Sequence, residues 1–270
     1  MHGNPSSDLS AQGDALAPPP ALLPQGLSAT VGMIGGMGPD AGADLVFKFL
    51  RECRAWLNRH GLPITDQSYP PHLLVQHPIP DRSQAIAQSD IAVTEMIVNA
   101  CRTAVNAGAT TLGIACNTAH YWYPQIVSAT QPAKVLHIAD VAARAVAERG
   151  FQRAALMATP ATCASGLYHD ALCRYGIHVV DMSSSQLTLI NEAIYKGVKS
   201  GNYEFAGSIV KRTVDELLLN ADCVVLGCTE LPIAINHVFA PNPERIVDAT
   251  ATLATALVEA AFGARQSVSV

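Results

Sequence analysis

Two cysteines stand out because they occupy matching places in the two halves of the chain. Cys116 follows the apolar run 111–115, Cys228 follows the run 223–227, and a polar turn with a hydroxyl side chain succeeds each of them. Such a turn can open a helix, whose free backbone amides favour negative charge and lower a thiol pKa from about 8.5. A single cysteine at a strand end is more often a buried apolar residue. Two in matched contexts favour a pair of reactive thiols.

The elements that position these cysteines are short apolar runs separated by longer segments of helical period. This alternation is typical of parallel sheets covered by helices on both faces. Ligands of open α/β sheets bind at the carboxyl ends of the strands, where both cysteines are predicted to lie. The predicted strands are 31–34, 73–76, 112–115, 135–138, 154–157, 178–180 and 223–226. Asp248 is predicted to cap a closing helix that runs to Phe262.

The repeated strand–cysteine–turn pattern predicts an α/β fold of two pseudo-symmetric half-domains, each with a parallel central sheet and with the active site in the cleft between them. Residues 30–132 together with 240–270 are assigned to the N-terminal half-domain, which includes the closing helix. Residues 133–239 form the second half-domain. Residues 1–29 are expected to be a disordered leader, because three consecutive prolines interrupt any helix and no basic segment precedes an apolar one.

Composition excludes several function classes. The formal net charge is −5 and no basic stripe is interleaved with aromatic residues, which argues against nucleic-acid binding. No apolar run reaches the roughly 18–20 residues that span a bilayer, so no membrane association is expected. The 7 cysteines contain no CxxC pair, which disfavours a zinc ribbon or a disulfide framework and predicts a reducing, cytoplasmic location.

A nucleotide-binding enzyme is a weaker alternative. The glycine-rich segment 32–38 follows a strand, but it does not have the GxGxxG register, and no GxxxxGK[ST] motif occurs in the chain. An acidic residue at the end of the second strand would favour a dinucleotide site, whereas His77-Pro78 stands there.

Several motifs together resemble the aspartate racemase branch of the aspartate/glutamate racemase superfamily. The strongest are Cys116-Asn117-Thr118-Ala119-His120 and Gly227-Cys228-Thr229-Glu230-Leu231. Further similar pieces occur in order, and the match covers about residues 30–262: Gly35-Gly36-Met37-Gly38-Pro39, Pro80-Asp81-Arg82, Ala158-Thr159 with Thr162 and Tyr168, Ile194-Tyr195 through Lys199 with Gly201, and Asp248 with Thr250. The resemblance implies a homodimer that racemises an acidic amino acid without pyridoxal phosphate, metal or nucleotide.

Two thiols suit the reaction that this resemblance implies. To invert a carbon centre, a proton must leave one face of the substrate and another must arrive at the opposite face, and one base serves both faces of a fixed substrate poorly. Thiols on opposed walls divide the task if one enters as thiolate and the other as thiol, and their protonation states are exchanged by each turnover. Cys116 and Cys228 are therefore predicted to be the catalytic pair.

The resemblance also implies roles for the residues around the cysteines. Asn117, Thr118 and Ala119 would donate to the substrate α-carboxylate, and Thr229 would complete the opposite side. Arg82 would hold the side-chain carboxylate by a bidentate contact, with Lys199 as a second cation and Lys196 as the alternative to it. Met37 and Thr159 would line the cleft. His120 and Glu230 could orient the cysteines or help to deprotonate them, but each could equally be structural, and neither is assigned as a general base.

Two other activities fit parts of this pattern. A maleate-type cis-trans isomerase would use one cysteine as a nucleophile on a double bond, not as a base. A non-catalytic protein that binds an acidic amino acid would keep the cleft but would not need two opposed proton carriers. Both thiols are present, which favours the racemase.

Overall fold

The computed structural model describes residues 29–236 and 242–263. Apart from Ala29, the predicted leader lies outside the described residues. No helix within these two ranges is both long and apolar enough to cross a membrane.

The first half of the chain forms a four-stranded parallel sheet with the order β2-β1-β3-β4. Its central strands have all their side chains buried, which explains their continuous apolar sequence. Val31 pairs with His72 on one side and with Thr111 on the other, so the carboxyl ends of the three longer strands lie at one edge. The strands are β1 Val31–Gly35, β2 His72–Gln76, β3 Thr111–Ile114 and β4 Lys134–Val135.

The second half forms another four-stranded parallel sheet, with the order β6-β5-β7-β8. The second order repeats the first with each strand number raised by four, so β3 and β7 occupy equivalent positions and Cys116 and Cys228 follow equivalent strands. The predicted α/β fold with two related halves is confirmed. The strands are β5 Arg153–Met157, β6 His178–Val180, β7 Cys223–Leu226 and β8 Ile246–Asp248.

Two short strands differ from the sequence prediction. The predicted strand 135–138 ends at Val135, because Ile138 already begins a helix. Strand β8 was not predicted, since only two apolar residues, Ile246 and Val247, stand between Arg245 and Asp248. The pairing of these two strands also differs from the half-domain boundaries assigned from the sequence. Strand β4 pairs in the first sheet, although residue 134 was assigned to the second half. Strand β8 pairs in the second sheet, although residues 246–248 were assigned to the first half.

Eleven α-helices connect or cover these strands within the described ranges. They are α1 Pro39–Arg59, α2 Arg82–Gln88, α3 Ile91–Asn106, α4 Tyr123–Thr130, α5 Ile138–Glu148, α6 Pro160–Ala164, α7 Leu167–Cys173, α8 Ser184–Glu192, α9 Tyr203–Leu217, α10 Leu231–Asn236 and α11 Ala249–Gly263. Short turns of 3₁₀ helix occur at Thr118–Trp122 and Val198–Ser200, and a π-helical turn occurs at Ala193–Gly197.

The closing helix α11 connects the two halves. Asp248 at the end of β8 caps it as predicted, with Oδ1 accepting from the amides of Thr250 at 2.8 Å and Ala251 at 3.1 Å. The helix packs against α1, α5 and β3. A Cβ atom added at Gly113 of β3 would lie 2.7 Å from a methyl of Leu257, so the helix approaches this strand very closely. Burial of the apolar face of α11 therefore stabilises the pairing of the halves around the cleft.

Candidate active site

The candidate site is a small cavity formed by the turns that follow β1, β2, β3, β5 and β7 together with the segment after α8. Its volume is about 20 Å³, which leaves room for about one water molecule. Every predicted site residue except Ala119 contributes to the wall. The lining residues are Met37, Asp81, Arg82, Ser83, Cys116, Asn117, Thr118, Thr159, Ile194, Tyr195, Lys199, Cys228, Thr229 and Glu230.

Cys116 and Cys228 both open into this cavity, and only 5% and 6% of their surfaces are exposed. Each lies just past the end of a fully buried central strand, which is the position predicted from the repeated motif. All 7 cysteines of the chain are free thiols. The fold therefore brings one thiol from each half to a common cavity, in which both thiols are almost completely buried.

The electrostatic surroundings of Cys228 differ from the prediction. Its Sγ lies 3.0 Å from Oε2 of Glu230, and both residues are buried. Burial raises the pKa of the Cys228 thiol well above its usual range, and the Glu230 carboxylate raises it further. The expected lowering of this pKa by a helix N-terminus does not prevail here, because burial and the carboxylate in direct contact together outweigh the partial charges of the backbone amides.

Arg82 occupies the other side of the cavity, beside Cys116. Burial disfavours its charged form, yet the pKa of Arg82 is raised overall because the nearby Cys116 sulfur and the Asp81 and Glu230 carboxylates favour the cation. Nη1 donates to the carbonyls of Ile79 at 3.1 Å and Pro80 at 2.9 Å, and Nη2 donates to the carbonyl of Met37. Nε is buried and has no hydrogen-bond partner among the described residues. Arg82 therefore holds the backbone of the cavity wall through its Nη atoms, and among the described residues only its Nε is left for a ligand.

Asn117 presents a donor to the cavity. Its Oδ1 accepts a hydrogen bond from the hydroxyl of Tyr168, which fixes the orientation of the amide. Nδ2 then points away from Tyr168 and has no partner within the described ranges, although it is buried. A buried N–H without a partner costs free energy, so this group is suited to bind an acceptor that enters the cavity.

Three threonines form a hydroxyl cluster that joins the halves. Oγ1 of Thr118 lies 2.8 Å from Oγ1 of Thr162 and 3.4 Å from Oγ1 of Thr159. Thr159 also caps α6 by accepting from the amide of Thr162 at 3.2 Å. Thr229 lies opposite, with its hydroxyl 3.4 Å from the carbonyl of Ala115. The predicted hydroxyl donors are thus at the wall, and two of them are held in place by neighbours.

Lys199, and not Lys196, reaches the cavity. Nζ of Lys199 lies 3.3 Å from Oε1 of Glu230, whereas Lys196 is exposed and pairs with Glu192 at 2.7 Å. The same Glu230 oxygen accepts from the amide of Gly38, in the other half, at 3.3 Å. The chain separation of Gly38 and Glu230 is 192 residues, so this contact became visible only in the fold.

Two tyrosines form further hydrogen bonds between the two halves. The hydroxyl of Tyr195, in the π-helical turn, donates to Oδ2 of Asp81 at 2.7 Å and lies 3.4 Å from Oγ of Ser83. Tyr203 similarly donates to Asp40 across the cleft at 3.0 Å. Asp81 and Tyr195 were visible in the motifs without an assigned role, and no motif pointed to Ser83. A substrate larger than water can enter only if these contacts separate.

His120 contacts the backbone of Cys116 and does not line the cavity. It is fully buried, with Nδ1 2.9 Å from the carbonyl of Cys116, and burial lowers its pKa to about 3. A neutral imidazole that holds a backbone carbonyl is a positioning group and does not act as a base toward the cavity. Ala119 is also buried, and its side chain belongs to the apolar core and does not line the cavity, so its predicted role as a donor rests on its backbone amide and stays a prediction.

The structure defines an α/β protein of two related halves, each of which contributes one buried cysteine to a common cavity. The family model described as Asp/Glu/Hydantoin racemase matches residues 34–257, and the chain belongs to this family. Its activity class is therefore that of an amino-acid racemase. The described ranges contain no group of three His, Cys, Asp or Glu side chains arranged to hold a metal ion.

Similar proteins agree with this assignment. A broad specificity amino-acid racemase, RacX from Bacillus subtilis strain 168, is 22% identical over 84% of this chain and 96% of its own length. The structure of an aspartate racemase from Picrophilus torridus has a TM-score of 0.73 and 26% identity, covering 88% of this chain and 98% of that one. A Francisella tularensis glutamate racemase in complex with D-glutamate shares the fold, with a TM-score of 0.62, 16% identity, and coverage of 88% and 83%.

Proposed function

We propose that this protein interconverts the L and D forms of aspartate, glutamate or both, without pyridoxal phosphate, and that Cys116 and Cys228 are the two acid–base groups. The observation that carries the proposal is that one thiol from each half lines a single buried cavity. A thiolate on one wall would take the α-proton, and the thiol on the opposite wall would deliver a proton to the other face. The negative charge then lies on the second sulfur, which is ready for the reverse reaction.

The donors around the cysteines suit the substrate α-carboxylate. Nδ2 of Asn117 is buried and unpaired within the described ranges, and the hydroxyls of Thr118 and Thr229 lie in the same wall. When the α-proton leaves, negative charge spreads onto this carboxylate. Fixed donors in a cavity that excludes water stabilise such charge more strongly than water does. Asn117 is therefore assigned to the carboxylate, and Tyr168 to holding its amide in position.

Two cations support an acidic side chain in the substrate. Among the described residues Nε of Arg82 has no hydrogen-bond partner, whereas its other two nitrogens are held by carbonyls, and Nζ of Lys199 forms an ion pair of 3.3 Å with Glu230. A second carboxylate would bind between them after the cleft widens. Because Asp81 and Glu230 also line the cavity, its formal charges nearly balance, and a neutral side chain is the natural competitor.

Racemisation assayed by circular dichroism tests the proposal. Purified protein without pyridoxal phosphate is given L-aspartate, L-glutamate and a panel of neutral and basic L-amino acids, because one relative is named as having broad specificity. Aspartate or glutamate should lose optical activity fastest. Cys116→Ser and Cys228→Ser should each lower the rate at least about 100-fold, since serine is a poor proton carrier at neutral pH. Cys173→Ser, at an exposed thiol, is the matched control.

Two results would contradict the proposal. The first is that no amino acid in the panel loses optical activity, and the second is that either cavity variant keeps the rate of the Cys173→Ser control. Turnover of maleate without any racemisation would instead identify the cis-trans isomerase. The homodimer and the cytoplasmic location stay predictions, and light scattering of the purified protein tests the first of them.

A further inference from the structure

The contact between Cys228 and Glu230 requires a proton. The sulfur and Oε2 are 3.0 Å apart in a buried part of the site. Two negative charges at this distance and with little water between them would repel each other strongly. One of the two groups must therefore carry a hydrogen that lies between them.

The surroundings of Glu230 place that hydrogen on the sulfur. Oε1 accepts from the amide of Gly38 at 3.3 Å and forms an ion pair with Nζ of Lys199 at the same distance. Oε2 lies 3.2 Å from the hydroxyl of Thr229. Donors to both oxygens and an adjacent ammonium group stabilise the ionised carboxylate, so Glu230 is the acceptor and Cys228 is the donor.

The other thiol has the opposite environment. Cys116 lies on the Arg82 side of the cavity, where a buried guanidinium keeps its Nε free of partners among the described residues. A cation near a sulfur favours its thiolate form. Cys228 is thus in direct contact with a carboxylate, whereas Cys116 shares its side of the cavity with a guanidinium.

We propose that Glu230 is a positioning residue that holds Cys228 in the thiol form, so that the free protein carries its thiolate at Cys116. The catalytic consequence rests on the proposed racemase function: the resting protein deprotonates the enantiomer whose α-hydrogen faces Cys116. The mirror-image substrate can react only after the proton has moved from Cys228 to Cys116, which leaves the thiolate at Cys228. Besides Glu230, the titratable groups acting on Cys228 are Cys116, Tyr168 and Tyr195.

Alkylation of the free protein tests this without any substrate. Cys116 and Cys228 are equally exposed, so a difference in their initial rates with dilute iodoacetamide at pH 7.5 reports thiolate content. Peptide mass spectrometry should find Cys116 modified at least about 10-fold faster, which corresponds to one pH unit of pKa difference. In Glu230→Gln the rate at Cys228 should rise at least about 10-fold. Glu95→Gln, the same change at an exposed site on α3, should alter neither rate.

The pH profile of kcat/KM gives a second readout. Its alkaline limb reports the loss of the one proton that Cys116 and Cys228 share in the active form. By holding this proton on Cys228, Glu230 shifts its loss to higher pH. Glu230→Gln should move this limb to lower pH by at least about one unit and leave the acidic limb in place. Glu230→Asp keeps the charge and should keep the alkaline limb closer to that of the unmodified protein. A thermal melt of each variant confirms that it is folded before it is compared.

The outcomes separate the two proposals. Faster alkylation of Cys228 than of Cys116 in the unmodified protein, or an unchanged rate at Cys228 in folded Glu230→Gln, overturns the role of Glu230. Absence of racemisation refutes the proposed function, but the order of alkylation still tests Glu230. An alkaline limb that stays in place in Glu230→Gln, or that shifts equally in Glu230→Gln and Glu230→Asp, also contradicts the inference.

Discussion

Replacing Arg82 by methionine removes a guanidinium while keeping a side chain of similar length. The sequence motif suggests only a substrate contact for this residue, so the simplest expectation is weaker binding with no effect on folding. In the structure the side chain is 7% exposed and donates to three backbone carbonyls, those of Ile79, Pro80 and Met37. Arg82→Met therefore leaves three acceptors without their donor.

The expected loss of stability follows from those hydrogen bonds. Each contributes about 1 kcal/mol, so Arg82→Met should lower the free energy of unfolding by about 3 kcal/mol. A chain of this size loses about 2–4 °C of Tm for each kcal/mol, which gives a decrease of about 6–12 °C. Alkylation of Cys116 should also slow, because the cation beside its thiolate is gone.

Thermal unfolding followed by far-ultraviolet circular dichroism measures this effect, with Arg212→Met as the control. Arg212 is exposed and pairs with Glu216 at only 4.0 Å, so its loss should change stability by less than about 0.5 kcal/mol. If Arg82→Met melts within about 2 °C of the control, the three carbonyl contacts do not stabilise the fold, and the structural role assigned to Arg82 is wrong.

Three further predictions follow from individual side chains. Lys199→Met should lower kcat/KM for an acidic substrate by about 10–100-fold in steady-state assays, while Lys196→Met should change it less than about 2-fold, because only Lys199 reaches the cavity. The imidazole ¹⁵N shifts of His120 should not titrate between about pH 5 and 8, since burial lowers its pKa to about 3. Two backbone amides lower the pKa of Asp222 below 3.8, so its contribution to stability is present above that value and is lost as pH falls through the folded value. The Tm difference between the unmodified protein and Asp222→Ala should therefore be present at pH 7 and shrink as the pH falls below 3.8.

The central strands and the position of the thiols were predictable from local pattern. Strands β1, β3, β5 and β7 are buried on both faces, so nearly every residue in them is apolar and the runs stand out from their flanks. Cys116 and Cys228 directly follow such runs. Strand β8 was missed because it contains only two apolar residues between charged neighbours, and its pairing with β7 is set by tertiary contacts.

The electrostatics of the site were not predictable in the same way. The acceptors of Arg82 are backbone carbonyls, whose positions depend on the conformation of the turns and not on residue type. The contact of Glu230 with Gly38 joins the two halves, and the high pKa of Cys228 arises from burial together with the adjacent carboxylate. A motif identifies which residues meet at a site, but the charge state of each depends on distances that only the fold determines.

The fate of the α-hydrogen in heavy water tests the two-thiol account most directly. L-aspartate or L-glutamate is incubated in D₂O with the protein. At low conversion the two enantiomers are separated, and the deuterium content of each is measured by mass spectrometry. The account predicts that the D product carries deuterium at the α-carbon from the first turnover, while the remaining L substrate keeps its hydrogen, because different groups serve the two faces. A D product that retains the original hydrogen would contradict proton exchange between Cys116 and Cys228.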